Sequence, residues 1–419
     1  MARKQHNRQY DIVVFGATGY TGKYTAQYIT THLPTHLKWA VAGRSESKLQ
    51  QLINDIKPLN PDRTQPAIEI ANLSDADLSS LAKKTYILIS TVGPYSRLGE
   101  HAFKACAENG THYLDVTGEV PWVSKMIQKY ESTAKSSGAL MFPQIGIESA
   151  PADLVTFSLA STLRSQVGAK TGDVTVSIHK LSSSPSGGTL STVFTIADVF
   201  SVGELQAAYK PYALSPVPNP TPGPARSLLS RLTGLITVPE LGLLTSSVAS
   251  TTDAALVQRS WGLLSTLPGK KAEAYGNKFS FREFMKPRNW LTGIGIHIGL
   301  VFLQLIIVAP LLRNILSKKV VQPGFGPDPE TASRDEIEYR GIATAEGDAK
   351  KQAACKAWFN GSAYYLTGIL LAEAASTLLE EEDLGLPEGG IYTPACLGQP
   401  LIDRLGRAGF HFETNLLVN

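Results

Sequence analysis

The sequence predicts an α/β protein in which a doubly wound parallel sheet is followed by an inserted α+β domain with a mixed or antiparallel sheet. Through roughly the first 150 residues, short apolar runs alternate with helical stretches, and beyond Asp173 strand-like runs alternate apolar and polar residues. Of 419 residues, 43% are hydrophobic and 18% charged, which excludes a disordered chain. The net charge of +3 is too small to indicate a nucleic-acid partner.

The expected strands of the first sheet are nearly continuous apolar or β-branched runs. Strands of this kind are buried on both faces, as in a parallel sheet covered by helices. The stretches between them are long enough for crossover helices. The runs are Asp11–Phe15, Trp39–Ala42, Ala67–Ile70, Tyr86–Thr91, Tyr113–Val116 and Ala139–Pro143.

The rest of the chain predicts a second domain and a helical C-terminal section. Alternation around Val176, Phe281 and Tyr339 is typical of half-solvated antiparallel strands. The Pro- and Ser-rich stretch 212–226 predicts an exposed loop. Helical patterns return at 363–379 and at about 399–408. We therefore divide the chain into a nucleotide-binding domain (1–160), an inserted substrate or oligomerisation domain (161–361) and C-terminal helices that return to the first domain (362–419).

A glycine-rich turn follows the first strand and precedes the helix-compatible run Lys23–Thr31. Its glycines have the spacing G-x-x-G-x-x-G. A dinucleotide pyrophosphate binds backbone N–H groups at a helix N-terminus, and glycines let the chain turn and approach the phosphates. The order strand, turn, helix predicts a Rossmann nucleotide site, with a structural turn that binds no ligand as the alternative. The expected contacts are Gly16, Thr18, Gly19, Tyr20, Thr21 and Gly22.

The end of the second strand indicates which nicotinamide cofactor binds. An acidic residue there contacts the ribose 2′-hydroxyl of NAD(H), whereas an arginine accepts the 2′-phosphate of NADP(H). This chain has Arg44 and Ser45 at that position, and Lys48 follows one helical turn later. NADP(H) is therefore favoured over NAD(H). A solvated arginine, or use of both cofactors, is the alternative.

The loops after the fourth, fifth and sixth strands should meet at the carboxyl edge of the sheet, where ligands bind in this fold class. Thr91, Val92, Gly93 and Pro94 are expected to border the nicotinamide ring. Proton-donor candidates are Tyr95 first, then Glu119 and Glu148. A turn with a packing tyrosine is the alternative for the first loop. Asp153 fits either a substrate contact or a helix cap.

An uncharged segment, 289–312, lies between basic flanks. It has about the length of a bilayer span, but Asn289, His297 and Gln304 make insertion costly. We expect it to contact a membrane or lipid-droplet surface, with a buried helix or an oligomer interface, such as that of a homodimer, as alternatives. The polar N-terminus argues against secretion. Three scattered cysteines provide neither a disulfide framework nor a metal site, so a cytoplasmic location is expected.

With these motifs in place, the chain resembles the saccharopine dehydrogenase-like oxidoreductase family, including its trans-acting enoyl reductase branch. The resemblance rests on GATGYTG from Gly16, AGRS from Ala42, the block Thr91–Glu119, and PQIGIESAPADL from Pro143. It implies a Rossmann domain, an inserted domain with a mixed sheet, and association with lipid droplets or membranes. The family usually has aspartate where this chain has Glu148, and this difference leaves the substrate open.

Two other enzyme classes with similar glycine turns are disfavoured. Short-chain dehydrogenases use a Tyr-x-x-x-Lys pair, and no tyrosine here has lysine four residues on. Acyl-phosphate reductases use a cysteine nucleophile, and 141–153 contains none. We predict an NADPH-dependent oxidoreductase that reduces a lipid-like or acyl (enoyl) substrate at a lipid surface. The alternatives are a saccharopine reductase acting on an amino-acid-like substrate and a non-catalytic NADP-binding scaffold.

Overall fold

The computed structural model describes residues 4–181, 195–219, 223, 226–308, 332 and 334–417. The strands of its first sheet are β1 (Tyr10–Phe15), β2 (Trp39–Gly43), β3 (Ala67–Ile70), β4 (Thr85–Ser90), β5 (His112–Asp115), β6 (Leu140–Phe142) and β13 (Gly390–Ile391). They are parallel and lie in the order β13-β6-β5-β4-β1-β2-β3. The expected doubly wound sheet is confirmed.

The first sheet forms where apolar runs can be covered on both faces. Ile12, Val13 and Val14 of β1 are fully buried, although successive side chains point to opposite faces. Val14 pairs with Val41 on one side and with Ile89 on the other. The helices that follow the first six strands are α1 (Tyr20–His32), α2 (Glu46–Ile56), α3 (Asp75–Lys84), α4 (Tyr95–Leu98), α5 (Glu100–Asn109), α6 (Val120–Ser137) and α7 (Ala150–Thr162).

The second sheet is mixed. Its strands are β7 (Thr171–Leu181), β8 (Ile236–Val238), β9 (Gly242–Ser246), β10 (Ser280–Met285), β11 (Glu336–Ala345), β12 (Asp348–Asn360) and β14 (His411–Leu417), in the order β14-β12-β11-β7-β10-β9-β8. Most neighbours are antiparallel, but β10 runs parallel to β7. The antiparallel expectation around Phe281 therefore holds only toward β9, with which β10 pairs antiparallel, and fails toward β7, because the long connection after β7 returns the chain to the edge where β7 began.

The two faces of the second sheet have different partners. The remaining helices are α8 (Val202–Ala208), α9 (Leu228–Thr233), α10 (Ser250–Thr266), α11 (Trp290–Val308), α12 (Ala363–Glu380) and α13 (Gly398–Arg407). The inner face packs on α7 and α10; at Gly341, an added Cβ would lie 2.8 Å from side-chain atoms of Val155 and Leu159 in α7. The outer face carries a small core around Leu244, Phe284 and Ile342.

The C-terminal section contacts both sheets. Helix α12 packs on α1, and β13 extends the first sheet beside β6, whereas β14 pairs with β12 in the second sheet. The boundaries proposed for the three parts of the chain stay a prediction.

Two regions singled out in the sequence are only partly described. The stretch 209–219 has no regular helix or strand. Helix α11 covers most of the uncharged segment, while 309–312 lies outside the described residues. Among the described helices, none has both the length and the apolar character that a membrane span requires.

Candidate functional site

The glycine turn after β1 leaves no room for side chains beneath it. Gly16 has φ +85°, and its N–H donates to the carbonyl of Ala42 at 2.9 Å. An added Cβ at Gly16 would lie 2.7 Å from Cγ2 of Val92, and one at Gly22 would lie 2.4 Å from the carbonyl oxygen of Gly16. Both distances are shorter than van der Waals contact. These glycines are therefore required by the packing of β1, α1 and the loop after β4.

The start of α1 is suited to an anion. Gly19 is its N-cap residue and provides no side-chain cap, and the first turn contains no acidic residue. The first N–H groups of a helix have no intrahelical acceptor, so this end carries a partial positive charge. Thr18 and Thr21 flank it and are half-buried. Tyr20 differs, because its ring packs edge-on against Tyr364 with centroids 4.8 Å apart.

The end of β2 presents two positive side chains. Arg44 and Lys48 are exposed, and neither forms an ion pair with a described residue. Ser45 is the N-cap of α2, and its hydroxyl oxygen accepts from the N–H of Lys48 at 3.4 Å. Ser45 thus fixes the start of α2, while Arg44 is accessible to a ligand.

The loop after β4 closes over the glycine turn. The Thr91 hydroxyl donates to the carbonyls of Phe15 and Gly16, both at 3.1 Å. Val92 lies against Gly16, Gly93 is exposed and Pro94 is half-buried. Thr91 and Val92 therefore hold the turn together, and Gly93 provides an open stretch of backbone at the carboxyl edge.

Two of the three proton-donor candidates have their polar atoms committed within the protein. The Tyr95 hydroxyl is buried, donates to the carbonyl of Ser90 at 2.9 Å and accepts from the N–H of Val116. The Glu119 carboxylate is buried and accepts from the N–H groups of Tyr95 at 2.6 Å and Ser96 at 2.9 Å. Both residues therefore position the loops at the carboxyl edge, and this arrangement does not favour either as a substrate-facing acid.

Glu148 is placed differently. Its side chain is exposed, yet desolvation by the surrounding protein raises its pKa. A carboxyl group with both properties lies in a recess that solvent can enter, not on a convex surface. An added Cβ on Gly118, in the loop after β5, would lie 3.4 Å from Oε2 of Glu148. The carboxyl group thus faces the loops where the sheet's carboxyl edge would receive a ligand.

Comparison with known proteins agrees with this geometry. Residues 12–141 match the family model of the saccharopine dehydrogenase NADP binding domain. The chain therefore resembles saccharopine dehydrogenase-like oxidoreductases in this domain. A trans-acting enoyl reductase of Mycobacterium tuberculosis is 29% identical over 98% of this chain and 99% of its own. A lipid droplet localized protein of Caenorhabditis elegans is 38% identical over 35% of each chain. Apo saccharopine dehydrogenase (L-Glu forming) from Saccharomyces cerevisiae shares the fold, with a TM-score of 0.55 and 11% identity over 98% of this chain and 100% of that one.

The cofactor of this domain is NADP(H). The residues present fit it, because the α1 N-terminus has neither a capping side chain nor an acid, and the end of β2 carries an accessible arginine. The backbone at Gly19 and the first turn of α1 would hold the pyrophosphate, and Arg44 the 2′-phosphate. These residue assignments stay predictions.

Sequence reasoning missed a buried acidic pair beside the recess. Asp253 in α10 and Glu283 in β10 are buried neighbours, and the Ser247 hydroxyl donates to Glu283 at 2.7 Å. Burial, and then the charge of Glu283, raises the pKa of Asp253. The neighbouring Thr252 reaches the carbonyl of Gly118 at 3.5 Å. The sequence contained one signal for this pair. Glu283 lies two residues after Phe281 in β10, so its side chain faces the core on the same side of the strand.

Asp153 joins three parts of the chain. It is fully buried, and its carboxyl oxygens accept from the Ser260 hydroxyl at 2.6 Å and from the N–H of Ala395 at 2.8 Å. Burial raises its pKa to about 7. It therefore connects α7 to α10 and to the C-terminal section, and it is not the N-cap residue of α7, which is Ser149.

Helices α9 and α11 share an exposed apolar surface, here called the apolar patch. The helices are held together by His297, whose ring nitrogens contact the Ser246 hydroxyl at 2.9 Å and the carbonyl of Arg231 at 3.2 Å. Leu228 is 73% exposed and Phe302 61%. The patch consists of Leu228, Leu229, Leu232, Trp290, Leu291, Ile298, Val301, Phe302 and Leu305. Exposed apolar surface this concentrated is typical of an interaction site.

The remaining cavities and acids add no metal site. In the described part of the chain, no group of three or more His, Cys, Asp or Glu is arranged to hold a metal ion. A cavity of about 750 Å³ lies between α6 and α10, and one of about 280 Å³ on the outer face of the second sheet. Neither of these two cavities is lined by the glycine turn or by Glu148.

Proposed function

We propose that this oxidoreductase uses NADPH to reduce the activated carbon–carbon double bond of an acyl or lipid-like substrate, and that it works at a lipid surface. The observation that carries the chemical part is Glu148, an accessible carboxyl with a raised pKa in the recess beside Gly118. The full-length similarity to a protein named trans-acting enoyl reductase supports the choice of an enoyl substrate.

The proposed reaction needs one hydride and one proton. NADPH, when bound, supplies the hydride to the β-carbon of the double bond. The Glu148 carboxyl group gives its proton to the α-carbon and is left as a carboxylate, which water entering the recess reprotonates. Because its pKa is raised, Glu148 keeps its proton to a higher pH than an ordinary glutamate.

The test is NADPH oxidation with a panel of enoyl thioesters, comparing wild type with Glu148→Gln. We expect turnover to fall at least about tenfold, since a positioned acid typically contributes more than that. The loss of activity at high pH, which follows deprotonation of Glu148, should also disappear. The matched control is Glu388→Gln, an exposed glutamate in a different loop. Turnover of Glu148→Gln within twofold of wild type would refute the assignment.

The apolar patch supports the lipid-surface part. Its helices contribute large leucine, isoleucine and aromatic side chains, and α11 has no charged residue. A concentrated exposed apolar surface is typical of a membrane or protein contact, and these side chains would enter the acyl region of a lipid layer. The named location of the Caenorhabditis elegans relative agrees with this proposal. Substituting Leu229 and Phe302 together with serine should reduce flotation with lipid vesicles and leave turnover of a short, water-soluble enoyl thioester unchanged. Unchanged flotation would contradict the surface proposal.

A further inference from the structure

A pair of arginines lies on the outer face of the second sheet, at the base of the apolar patch. Arg282 and Phe284 are two residues apart on β10, so their side chains share the outer face. The guanidinium carbon of Arg226 lies 4.9 Å from the centroid of the Phe284 ring. The segment before Arg226 follows the same strand, since an added Cβ at Gly223 would lie 3.2 Å from Cβ of Ser280. Arg226 and Arg282 are therefore neighbours.

A third arginine joins them from α9. Arg231 is exposed, and its carbonyl contacts His297 of α11. His297 in turn contacts Ser246, which pairs directly with Phe284 across β9 and β10. Burial, and then the positive charges of Arg282 and Arg231, lowers the pKa of Arg226. The three side chains are thus close enough to repel one another.

No acid neutralises this cluster among the described residues. Neither Arg226, Arg231 nor Arg282 forms an ion pair with a described side chain. Arg340, on the same outer face, differs, because its Nε lies 2.6 Å from Oε1 of Glu338. Three arginines without a counter-ion repel one another and lower the stability of the folded protein, unless an anion binds between them.

We propose that Arg226, Arg231 and Arg282 bind the phosphate of an anionic phospholipid when the apolar patch lies on a lipid surface. The inference rests on the lipid-surface part of the proposed function. Guanidinium groups bind phosphate oxygens through paired, charge-assisted hydrogen bonds. The adjoining leucine and aromatic side chains fit the acyl region below a headgroup, which favours a lipid over a free phosphate ion.

The test is flotation of the full-length protein with vesicles of phosphatidylcholine alone and of phosphatidylcholine mixed with phosphatidylserine. We expect stronger binding to the mixed vesicles, and a loss of about fivefold for Arg231→Gln and for Arg282→Gln, the size expected for one basic residue at an anionic surface. Arg340→Gln removes the same charge from the same face and should bind like wild type. Because Arg231 is exposed, its variant avoids a folding defect.

The outcomes separate this proposal from the proposed function. Equal binding to both vesicle types, or an equal loss in Arg340→Gln, would refute the headgroup site and leave the apolar contact intact. Absence of binding to any vesicle would refute the lipid-surface function itself. Arginine-dependent stabilisation by inorganic phosphate without vesicle binding would identify a free-phosphate site and overturn the lipid assignment. NADPH oxidation with a water-soluble enoyl thioester tests the chemistry separately.

Discussion

Replacing Arg44 with glutamine should change cofactor preference without disturbing the fold. Arg44 is exposed and forms no ion pair with a described residue, so its removal breaks no ion pair in that part of the chain. The N-cap at Ser45 still fixes the start of α2. A charge-assisted hydrogen bond contributes about 1.5–3 kcal/mol, and solvent exposure places this one near the lower limit. About 1.4 kcal/mol corresponds to a tenfold weaker Kd for NADPH.

The assay is direct titration of the variant with NADPH and with NADH. NADH has no 2′-phosphate, so its Kd should stay at the wild-type value while that of NADPH rises about tenfold. Lys48→Gln removes a more distant charge and should have a smaller effect on NADPH. If Arg44→Gln weakened both cofactors equally, or neither, the assignment of Arg44 to the 2′-phosphate would be wrong.

Three further changes test the structure around the site. Gly22→Ala places a Cβ 2.4 Å from a carbonyl oxygen, so it should lower the free energy of unfolding by about 1–3 kcal/mol and abolish NADPH binding. The control is Gly203→Ala, which has open space around it and should leave stability and binding intact. Calorimetry measures the stability, and titration with NADPH measures the binding. Tyr95→Phe should cost about 1 kcal/mol in unfolding, yet change turnover less than twofold, because its hydroxyl is bound to Ser90. The folded pKa of Asp153, about 7, exceeds the ordinary aspartate value of 3.8, so its contribution to stability is complete below pH 3.8 and lost as pH rises through about 7. The melting temperature of Asp153→Asn, measured across this pH range, should lack that loss.

The first sheet could be predicted from the sequence because its signals are local. Apolar runs such as that in β1 are buried on both faces only in a parallel sheet, and the glycine spacing at Gly16 reflects contacts made within one βα unit. Strand β12 lacks such a signal. Its stretch Asp348–Asn360 contains four alanines and three lysines, and it is a strand because β11 and β14 pair with it.

The candidate site could be predicted only as far as the carboxyl edge. Strand ends place Tyr95, Glu119 and Glu148 at that edge, but side-chain direction depends on packing between distant elements. The Tyr95 ring packs against Trp122 of α6, with centroids 5.4 Å apart, which turns its hydroxyl inward. The Asp253–Glu283 pair joins residues thirty positions apart from a helix and a strand, and no local spacing predicts that contact.

Side chains alternate between the two faces of the second sheet along β10, and this places the two proposed sites on opposite sides of that sheet. Glu283 points to the inner face, where it meets Asp253 and Ser247 near the recess, whereas the adjacent Arg282 points to the outer face with Phe284. The second sheet therefore lies between the reduction site and the proposed lipid contact. A substrate held in a lipid layer must leave that layer and pass around the sheet to reach Glu148. We therefore expect the lipid surface to concentrate the enzyme near its substrate. The geometry does not favour direct delivery of the double bond from the lipid layer into the recess.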